Sequence, residues 1–158
     1  MPVDPHQIES DIRELYNAGQ GRAGTDEITF CGIILNRSDA QLRQIAGGYK
    51  HHHRRSLESA ILSEFSGHMQ EALLYAVQGA LDPMGRDATL LEKAMEGAGT
   101  KDERLTYRII RAHWKGGRPY TAGVTAAYQN QYKKNLIKRV KGETSGDYEK
   151  LLVAVLEG

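Results

Sequence analysis

The sequence predicts an all-α fold built from two similar halves. Apolar residues recur at helical spacing along the chain, as in the set Leu42, Ile45 and Tyr49. Alternating apolar and polar residues, the pattern typical of strands, are absent from the sequence. The third observation is an internal repeat, because the pair Gly24–Thr25 returns as Gly99–Thr100 and a distant glutamate follows each copy.

The alignment of the two copies defines the bounds of two repeats. Aligning the glycine-threonine pairs carries Ile34 onto Ile109, whereas Glu64 aligns with Glu143 only after four more residues are added. The added residues fall most plausibly in the segment 114–119, which contains Gly-Gly and proline and therefore predicts a longer loop. The two predicted repeats span residues 1–81 and 82–158.

Five short helices fit each repeat. Asp4–Pro5 and Asp82–Pro83 place a proline just inside a helix start. Ser38–Gln41 and Thr100–Glu103 match the capping-box pattern. The predicted helices span, in order, about 4–20, 26–36, 39–50, 54–64 and 67–80, and then about 84–96, 101–113, 119–131, 133–142 and 145–157.

The bulk composition excludes several classes of protein. A hydrophobic content of 40% with 26% charged residues is ordinary for a soluble globular chain. The net charge of +1 provides no overall field to attract nucleic acid or an anionic membrane. Residues 1–6 lack the features of a signal peptide, and Cys31 is the only cysteine, which favours a reducing compartment. We therefore expect a cytoplasmic protein with no nucleic-acid partner and only peripheral membrane contact.

Each repeat combines a glycine-rich loop with one distant acid. Gly24 and Glu64 are 40 residues apart, and Gly99 and Glu143 are 44 apart. Glycine tolerates backbone conformations that expose successive carbonyl oxygens, and a site made only of oxygens suits a hard cation, above all calcium. No EF-hand loop competes for this assignment. The alternative is that the glycines only terminate helices and that both acids are solvated.

Several segments resemble the annexin repeat. They are Gly24–Glu27, Asn36–Ser38, Ala94–Thr100 and Glu143–Tyr148. The resemblance covers nearly the whole chain as two consecutive repeats, similar to the third and fourth of the four that annexins normally carry, in a divergent, fungal-like form. It implies two five-helix repeats in a right-handed superhelix. It also implies a half-molecule, either a short natural form or a C-terminal fragment.

The resemblance further implies a set of calcium ligands. In the annexin scheme, carbonyl oxygens of the loop after the first helix join a carboxylate that precedes the fifth helix. The first loop is similar to the longer, third-repeat version. The implied ligands are the carbonyls of Gly19, Arg22 and Gly24 with Glu64 in the first repeat, and the carbonyls of Met95, Gly97 and Gly99 with Glu143 in the second.

Three departures from the annexin pattern bear on these sites. Ala23 stands where some relatives place a membrane-dipping tryptophan, and Phe65 replaces the usual threonine beside Glu64. Lys101 replaces a common aspartate, and either weaker calcium binding or a contact with lipid phosphate would follow. If only one site binds calcium well, we expect it to be the pair Gly24 and Glu64.

Two basic segments have a simpler interpretation. Adjacent residues on a helix point in different directions, so His51–His53 favours an exposed basic turn over a zinc site. The densest basic stretch is interpreted as a solvated helix face, with contact to anionic lipid as the alternative. It consists of Lys133, Lys134, Lys138, Arg139 and Lys141.

The resemblance implies calcium-dependent, reversible binding to acidic phospholipid membranes. The alternative is a calcium-independent helical scaffold, a protein-interaction module whose loops have lost calcium. An enzyme is not expected, because no nucleophile with a base, no P-loop and no zinc signature is present. A half-molecule would leave apolar surfaces open, so we also expect a homodimer.

Overall fold

The computed structural model describes residues 2–97 and 99–158, so Ala98 of the predicted second loop lies outside the described residues. Every regular element within these ranges is a helix, which confirms the all-α prediction. The chain divides into two compact units, unit 1 (Met1–Asp82) and unit 2 (Pro83–Gly158). Their assignment to third-like and fourth-like repeats stays a prediction. In the described part of the chain, no helix is both long enough and apolar enough to cross a bilayer.

Unit 1 begins its helices where the capping signals predict them. The Asp4 carboxylate accepts a hydrogen bond from the His6 N–H at 2.9 Å, with Pro5 in the first turn. Ser38 and Gln41 form the predicted reciprocal capping box. The helices of unit 1 are α1 (Pro5–Ala18), α2 (Glu27–Leu35), α3 (Asp39–His53), α4 (Leu57–Glu64) and α5 (Gly67–Leu81).

Unit 2 differs from the prediction at residues 114–119. A single element covers the two helices expected there, and within it only Gly116 and Gly117 leave the helical conformation. Gly117 has φ 59°, a value that glycine adopts without steric cost. Pro119 lies two residues later, near the start of the resumed helix, where its missing N–H is tolerated. The expected loop is thus a kink. The helices of unit 2 are α6 (Pro83–Met95), α7 (Asp102–Tyr132), α8 (Leu136–Glu143) and α9 (Gly146–Glu157).

The capping box expected at Thr100 is wrong. The N-cap residue of α7 is Lys101, whose side chain makes no capping hydrogen bond. The Thr100 hydroxyl instead donates to Glu143 Oε2 at 2.6 Å. A tertiary partner has therefore replaced the local one, and this hydroxyl becomes part of the candidate site.

Helix packing within each unit brings together two segments that are far apart in the sequence. In unit 1, α1 packs on α2 and α3, while α5 packs on α2, α3 and α4; in unit 2, α7 packs on α6, α8 and α9. Each unit has its own buried apolar core, which includes Phe30 in unit 1 and Leu91 in unit 2. Burial of one such side chain contributes about 1.5–3 kcal/mol. This packing places the loop after the first helix beside the acid that ends the penultimate helix.

Candidate metal centres

The loop after α1 is held closed by backbone hydrogen bonds. The Asp26 N–H donates to the Ala18 carbonyl and the Gly21 N–H donates to the Tyr16 carbonyl, each at 2.7 Å. Gly24 has φ +79°, in the left-handed region that favours glycine. Residues 19–25 therefore form an ordered turn, which we call the first loop.

Glu64 is the last residue of α4 and lies against the first loop. The Thr25 hydroxyl donates to Glu64 Oε2 at 2.6 Å. The Glu64 Cγ lies 3.5 Å from the ideal Cβ position of Gly19, so the side chain touches both ends of the loop. Among residues 2–97 and 99–158, no lysine, arginine or histidine nitrogen lies within ion-pair distance of the Glu64 carboxylate. The half-buried acid thus faces the loop without a neutralising cation.

Gln20 fastens the first loop to the core. Its amide lies 3.0 Å from the hydroxyl of Tyr49, a fully buried residue of α3. With the amide nitrogen as donor to that hydroxyl, the Gln20 oxygen accepts from Arg55 Nε at 3.1 Å. Burial raises the pKa of Tyr49 to about 12, so its hydroxyl stays protonated at neutral pH. The Arg55 guanidinium is therefore directed to Gln20.

The loop after α6 repeats this backbone plan with one residue fewer. The Lys101 N–H donates to the Ala94 carbonyl at 2.9 Å, enclosing residues 95–100, whereas the equivalent bond in unit 1 encloses 19–25. Gly97 and Gly99 have φ +88° and +91°. We call residues 95–100 the second loop. The expectation that the first loop is the longer version agrees with this geometry.

The second loop differs from the first in carrying an arginine. Arg139 Nη1 forms an ion pair and hydrogen bond with Glu143 Oε1, while Arg139 Nη2 donates to the Met95 carbonyl at 2.9 Å. Arg139 Nε lies 3.7 Å from Glu92 Oε2, and the buried Tyr128 hydroxyl donates to the same carboxylate oxygen. One guanidinium therefore contacts two of the four predicted ligand groups of the second site.

The surroundings of Glu143 keep it charged. Its hydrogen bond from the Thr100 hydroxyl, followed by that from Arg139, lowers the pKa of the Glu143 carboxyl below its ordinary value of 4.5. Burial, followed by the hydrogen bond to Glu92, raises the pKa of Tyr128, which remains the donor. The result is a half-buried network in which one cation serves two carboxylates.

The residue that follows the glycine-threonine pair is an acid in unit 1 and a base in unit 2. Asp26 caps α2 by accepting from the Thr29 N–H at 3.2 Å and the Thr29 hydroxyl at 2.9 Å. These bonds, the backbone one first, lower the pKa of the Asp26 carboxyl. The matching residue of the second loop, Lys101, is exposed and cationic. Each loop also holds an exposed residue of the other sign, Arg22 in the first and Glu96 in the second, so this difference alone gives neither loop a net charge.

The acids of the two loops differ in their partners. Across the described ranges, no three His, Cys, Asp or Glu side chains are grouped to hold a metal, so a cation would depend on carbonyl oxygens. The Glu64 carboxylate has no ion-pair partner among the described residues. In the second loop, the Met95 carbonyl and Glu143 are already engaged by Arg139. The second ligand set is thus assembled around an internal cation.

The structure places the predicted ligands in two groups. Gly19 is buried near the Glu64 side chain, and Arg22 and Gly24 are exposed in the same loop. Met95 is joined to Glu143 through Arg139, and the exposed Gly97 and Gly99 lie between Met95 and Thr100. Whether these residues are the metal ligands stays a prediction.

Three residues of the candidate sites are not predicted from the sequence. The hydroxyls of Thr25 and Thr100 each bind the acid of their own unit at 2.6 Å. Arg139 was assigned to a solvated helix face, yet its side chain is only 21% exposed. A signal for Arg139 was present, because Arg139 and Glu143 are four residues apart on a predicted helix and can pair.

The two basic segments are only partly solvated. Lys133, Lys134, Lys138 and Lys141 are exposed, as expected. The histidines form the last turn of α3, and His53 stacks on the Tyr16 ring with 3.9 Å between centroids. The predicted exposed turn is therefore wrong for His53, because an aromatic partner from α1 covers its ring.

Comparisons with known proteins agree with the helical arrangement. The family model described as Annexin matches residues 10–76 and 122–155. Annexin C1 of Cryptococcus neoformans var. grubii serotype A is 46% identical over 160 residues, which cover 99% of this chain and 34% of that relative. Human annexin A13 is 40% identical over 155 residues, covering 98% of this chain and 48% of the relative.

Solved structures give the same result. Annexin III superposes with a TM-score of 0.90 at 29% identity, covering 100% of this chain and 48% of that one. A structure described as calcium-bound annexin (Sm)1 gives a TM-score of 0.83 at 28% identity, with 98% and 41% covered. The chain thus spans between about a third and a half of the length of these relatives. On the family match and these likenesses, the chain belongs to the annexin family.

Proposed function

We propose that this chain binds acidic phospholipid membranes peripherally and in a calcium-dependent way, mainly through the first loop and Glu64. Calcium-dependent phospholipid binding is the property for which annexins are known. One observation carries the assignment to the first loop: Arg139 pairs with Glu143 in the second loop, whereas Glu64, held by the Thr25 hydroxyl at 2.6 Å, has no ion-pair partner among the described residues. No cationic side chain of the described residues pairs with that carboxylate, so its charge is available to a metal ion.

The charge of the chain explains why an ion is needed. A net charge of +1 gives little attraction to an anionic bilayer, and Glu64 and Asp26 at the first loop oppose it. Calcium, when bound, supplies positive charge that loop oxygens and a lipid phosphate can share. The role of the protein is to present these oxygens in a fixed arrangement, which Gln20 and Thr25 provide by anchoring the loop to α3 and to Glu64.

Vesicle co-sedimentation tests this function. The purified chain is mixed with vesicles of phosphatidylserine and phosphatidylcholine, with calcium or with a chelator, and pelleted. We expect pelleting only with calcium and only when the acidic lipid is present. Vesicles of phosphatidylcholine alone are the matched control. Pelleting that persists in chelator, or no pelleting under any condition, would contradict the proposal.

A calcium-independent scaffold is the second candidate, and the second loop is the observation that favours it. There, Arg139 supplies the positive charge that calcium would bring, and Lys101 adds another cation nearby. A unit whose loop is neutralised internally needs no ion to keep its shape. Calcium titration by calorimetry separates the two functions, because a scaffold predicts no binding heat from either unit.

We further propose that the chain is cytoplasmic, non-enzymatic and able to form a homodimer. Several large apolar side chains are exposed in the isolated chain, including Ile28 at 88% and Trp114 at 81%. Covering such side chains favours association. Sedimentation velocity at tens of micromolar should therefore show a dimer. A monomer that persists at the highest concentration would contradict this part of the proposal.

A further inference from the structure

The Arg139 guanidinium lies between the Met95 carbonyl of the second loop and the Glu143 carboxylate. Its Nη2 donates to the Met95 carbonyl at 2.9 Å, and its Nη1 pairs with Glu143 Oε1. The third nitrogen, Nε, is buried and lies 3.7 Å from Glu92 Oε2. The guanidinium thus joins a loop carbonyl and the distant carboxylate, which is the pairing that the annexin resemblance assigns to calcium.

We propose that Arg139 is a built-in cation that takes the place of calcium in the second loop and confines calcium binding to the first. The inference rests on the proposed function, since it explains which loop serves the membrane. Arg139 acts here as a specificity-determining residue. It satisfies the loop oxygens internally and leaves the second unit ordered without an ion.

The physical argument is one of competition. For calcium to use the Met95 carbonyl and Glu143, Arg139 would have to give up both contacts. A divalent ion beside the guanidinium would also be repelled, and this repulsion is weakly screened because Arg139 and Glu143 are 21% and 25% exposed. Both effects lower the calcium affinity of the second loop.

Unit 1 shows what the site looks like without this arginine. The register that pairs Glu64 with Glu143 pairs Ala60 with Arg139, and Ala60 is fully buried in the core of unit 1. The closing hydrogen bonds that the Ala18 and Ala94 carbonyls accept set the register of the first helices, which pairs Tyr16 with Glu92. At these two positions unit 2 has the charged residues Arg139 and Glu92 where unit 1 has uncharged ones, and the two charged side chains lie close together.

Arg139 and Glu92 both differ from the residues at the matching positions of unit 1, and their side chains lie close together, so we treat them as one functional pair. Glu92 balances Arg139 on the side away from Glu143, and Tyr128 holds Glu92 in place through its hydroxyl. A half-buried arginine with only one carboxylate partner would be held less firmly in one position. Glu92 and Tyr128 thus serve as positioning residues for Arg139.

The test first removes the Glu64 carboxylate, so that the first loop no longer binds calcium, and then removes the Arg139 guanidinium from the second loop. Calcium titration by calorimetry is carried out on Glu64→Gln, on Glu64→Gln with Arg139→Met, and on Glu64→Gln with Lys138→Met. Lys138 is an exposed neighbour on the same helix and is the matched control. We expect no calcium binding by the first and third variants. The second should bind one ion and give a binding heat that its parent lacks.

Two results would overturn the inference. One is calcium binding by Glu64→Gln that disappears when Glu143→Gln is added, because the second loop would then bind calcium despite Arg139. The other is a folded Arg139→Met variant that gains no binding. If Arg139→Met does not fold, Arg139→Gln takes its place, because a glutamine keeps a donor near the Met95 carbonyl without the charge.

A measurement without calcium tests the same contacts. In chelator, Arg139→Met should lower the midpoint of thermal unfolding, whereas Lys138→Met should leave it unchanged. Equal midpoints for both variants would contradict the ordering role of Arg139. Failure of the proposed function looks different: the unmodified chain would show no calcium heat, while gain of binding on removal of Arg139 would still support this inference.

Discussion

The first and second loops have the same backbone plan and different side chains around the acid. Each is closed by a hydrogen bond from the residue after the glycine-threonine pair, and each threonine binds the glutamate of its unit at 2.6 Å. The residue four positions before the acid is the buried Ala60 in unit 1 and Arg139, which pairs with Glu143, in unit 2. The glycine-threonine pair, the closing bond and the threonine–glutamate bond are therefore common to both loops, and the arginine beside the acid separates them.

The two loops differ at a residue on α8, four positions before the acid and far from the loop in sequence. A guanidinium has donors for both a carbonyl and a carboxylate, so Arg139 contacts both groups at once. Under the proposal made above, a carbonyl-rich loop does not define a calcium site by itself. A loop that matches a calcium-binding pattern can thus be held by protein charge alone.

The largest effect is expected from removing one acid at a time. Glu64→Gln should lower the calcium affinity in vesicle co-sedimentation by about tenfold or more, since a neutral amide replaces a charged ligand. Glu143→Gln should leave the calcium midpoint within about twofold, because that loop contributes little when Arg139 is present. Equal losses from the two variants would show that both loops bind calcium alike.

A smaller effect is expected from the backbone of the first loop. Gly24 has φ +79° and open space around its Cβ position, so Gly24→Ala introduces conformational strain of about 1 kcal/mol without a clash. We expect a lower unfolding free energy and weaker calcium binding. Gly32 is the control, because it is exposed within α2 and Gly32→Ala should stabilise the chain by about 0.5–1 kcal/mol. The same sign for both variants in chemical denaturation would contradict the account.

Removing the threonine hydroxyl should mainly change calcium affinity in the first loop and stability in the second. Thr25→Val removes the hydrogen bond that positions Glu64, so calcium affinity should fall about threefold to tenfold. Thr100→Val removes the equivalent bond to Glu143 and should reduce stability with little change in calcium affinity. Calorimetric titration and thermal unfolding of the same two proteins measure both quantities. A loss of calcium affinity in Thr100→Val would count against the assignment.

The smallest effect is a dependence of stability on pH. The pKa of Glu143 is lowered in the folded state, so the ionised carboxyl stabilises the fold above its ordinary value of 4.5, and this contribution is lost as pH falls through the folded value. Glu143→Gln should therefore lose less stability than the unmodified chain on acidification over that range. Parallel curves from thermal melts at a series of pH values would show that the network contributes nothing.

The sequence identified the helices well and the site only in part. Spacing and caps are local, so Asp4, Ser38 and the proline starts predict helix positions directly. The kink at Gly116–Gly117 was predicted as a loop because composition does not show how many residues leave the helix. The roles of Thr100 and Arg139 depend on which segments meet in three dimensions. Both have plausible local roles, a cap and a solvated basic residue, and tertiary contacts replaced those roles.

The most direct test of the central difference is a crystal structure of the chain grown with calcium, with the ions located by anomalous scattering. The account predicts an ion at the first loop, with Glu64 among its ligands, and Arg139 still bound to the Met95 carbonyl and Glu143. An ion held by Met95, Gly99 and Glu143, with Arg139 displaced and the first loop empty, would contradict it.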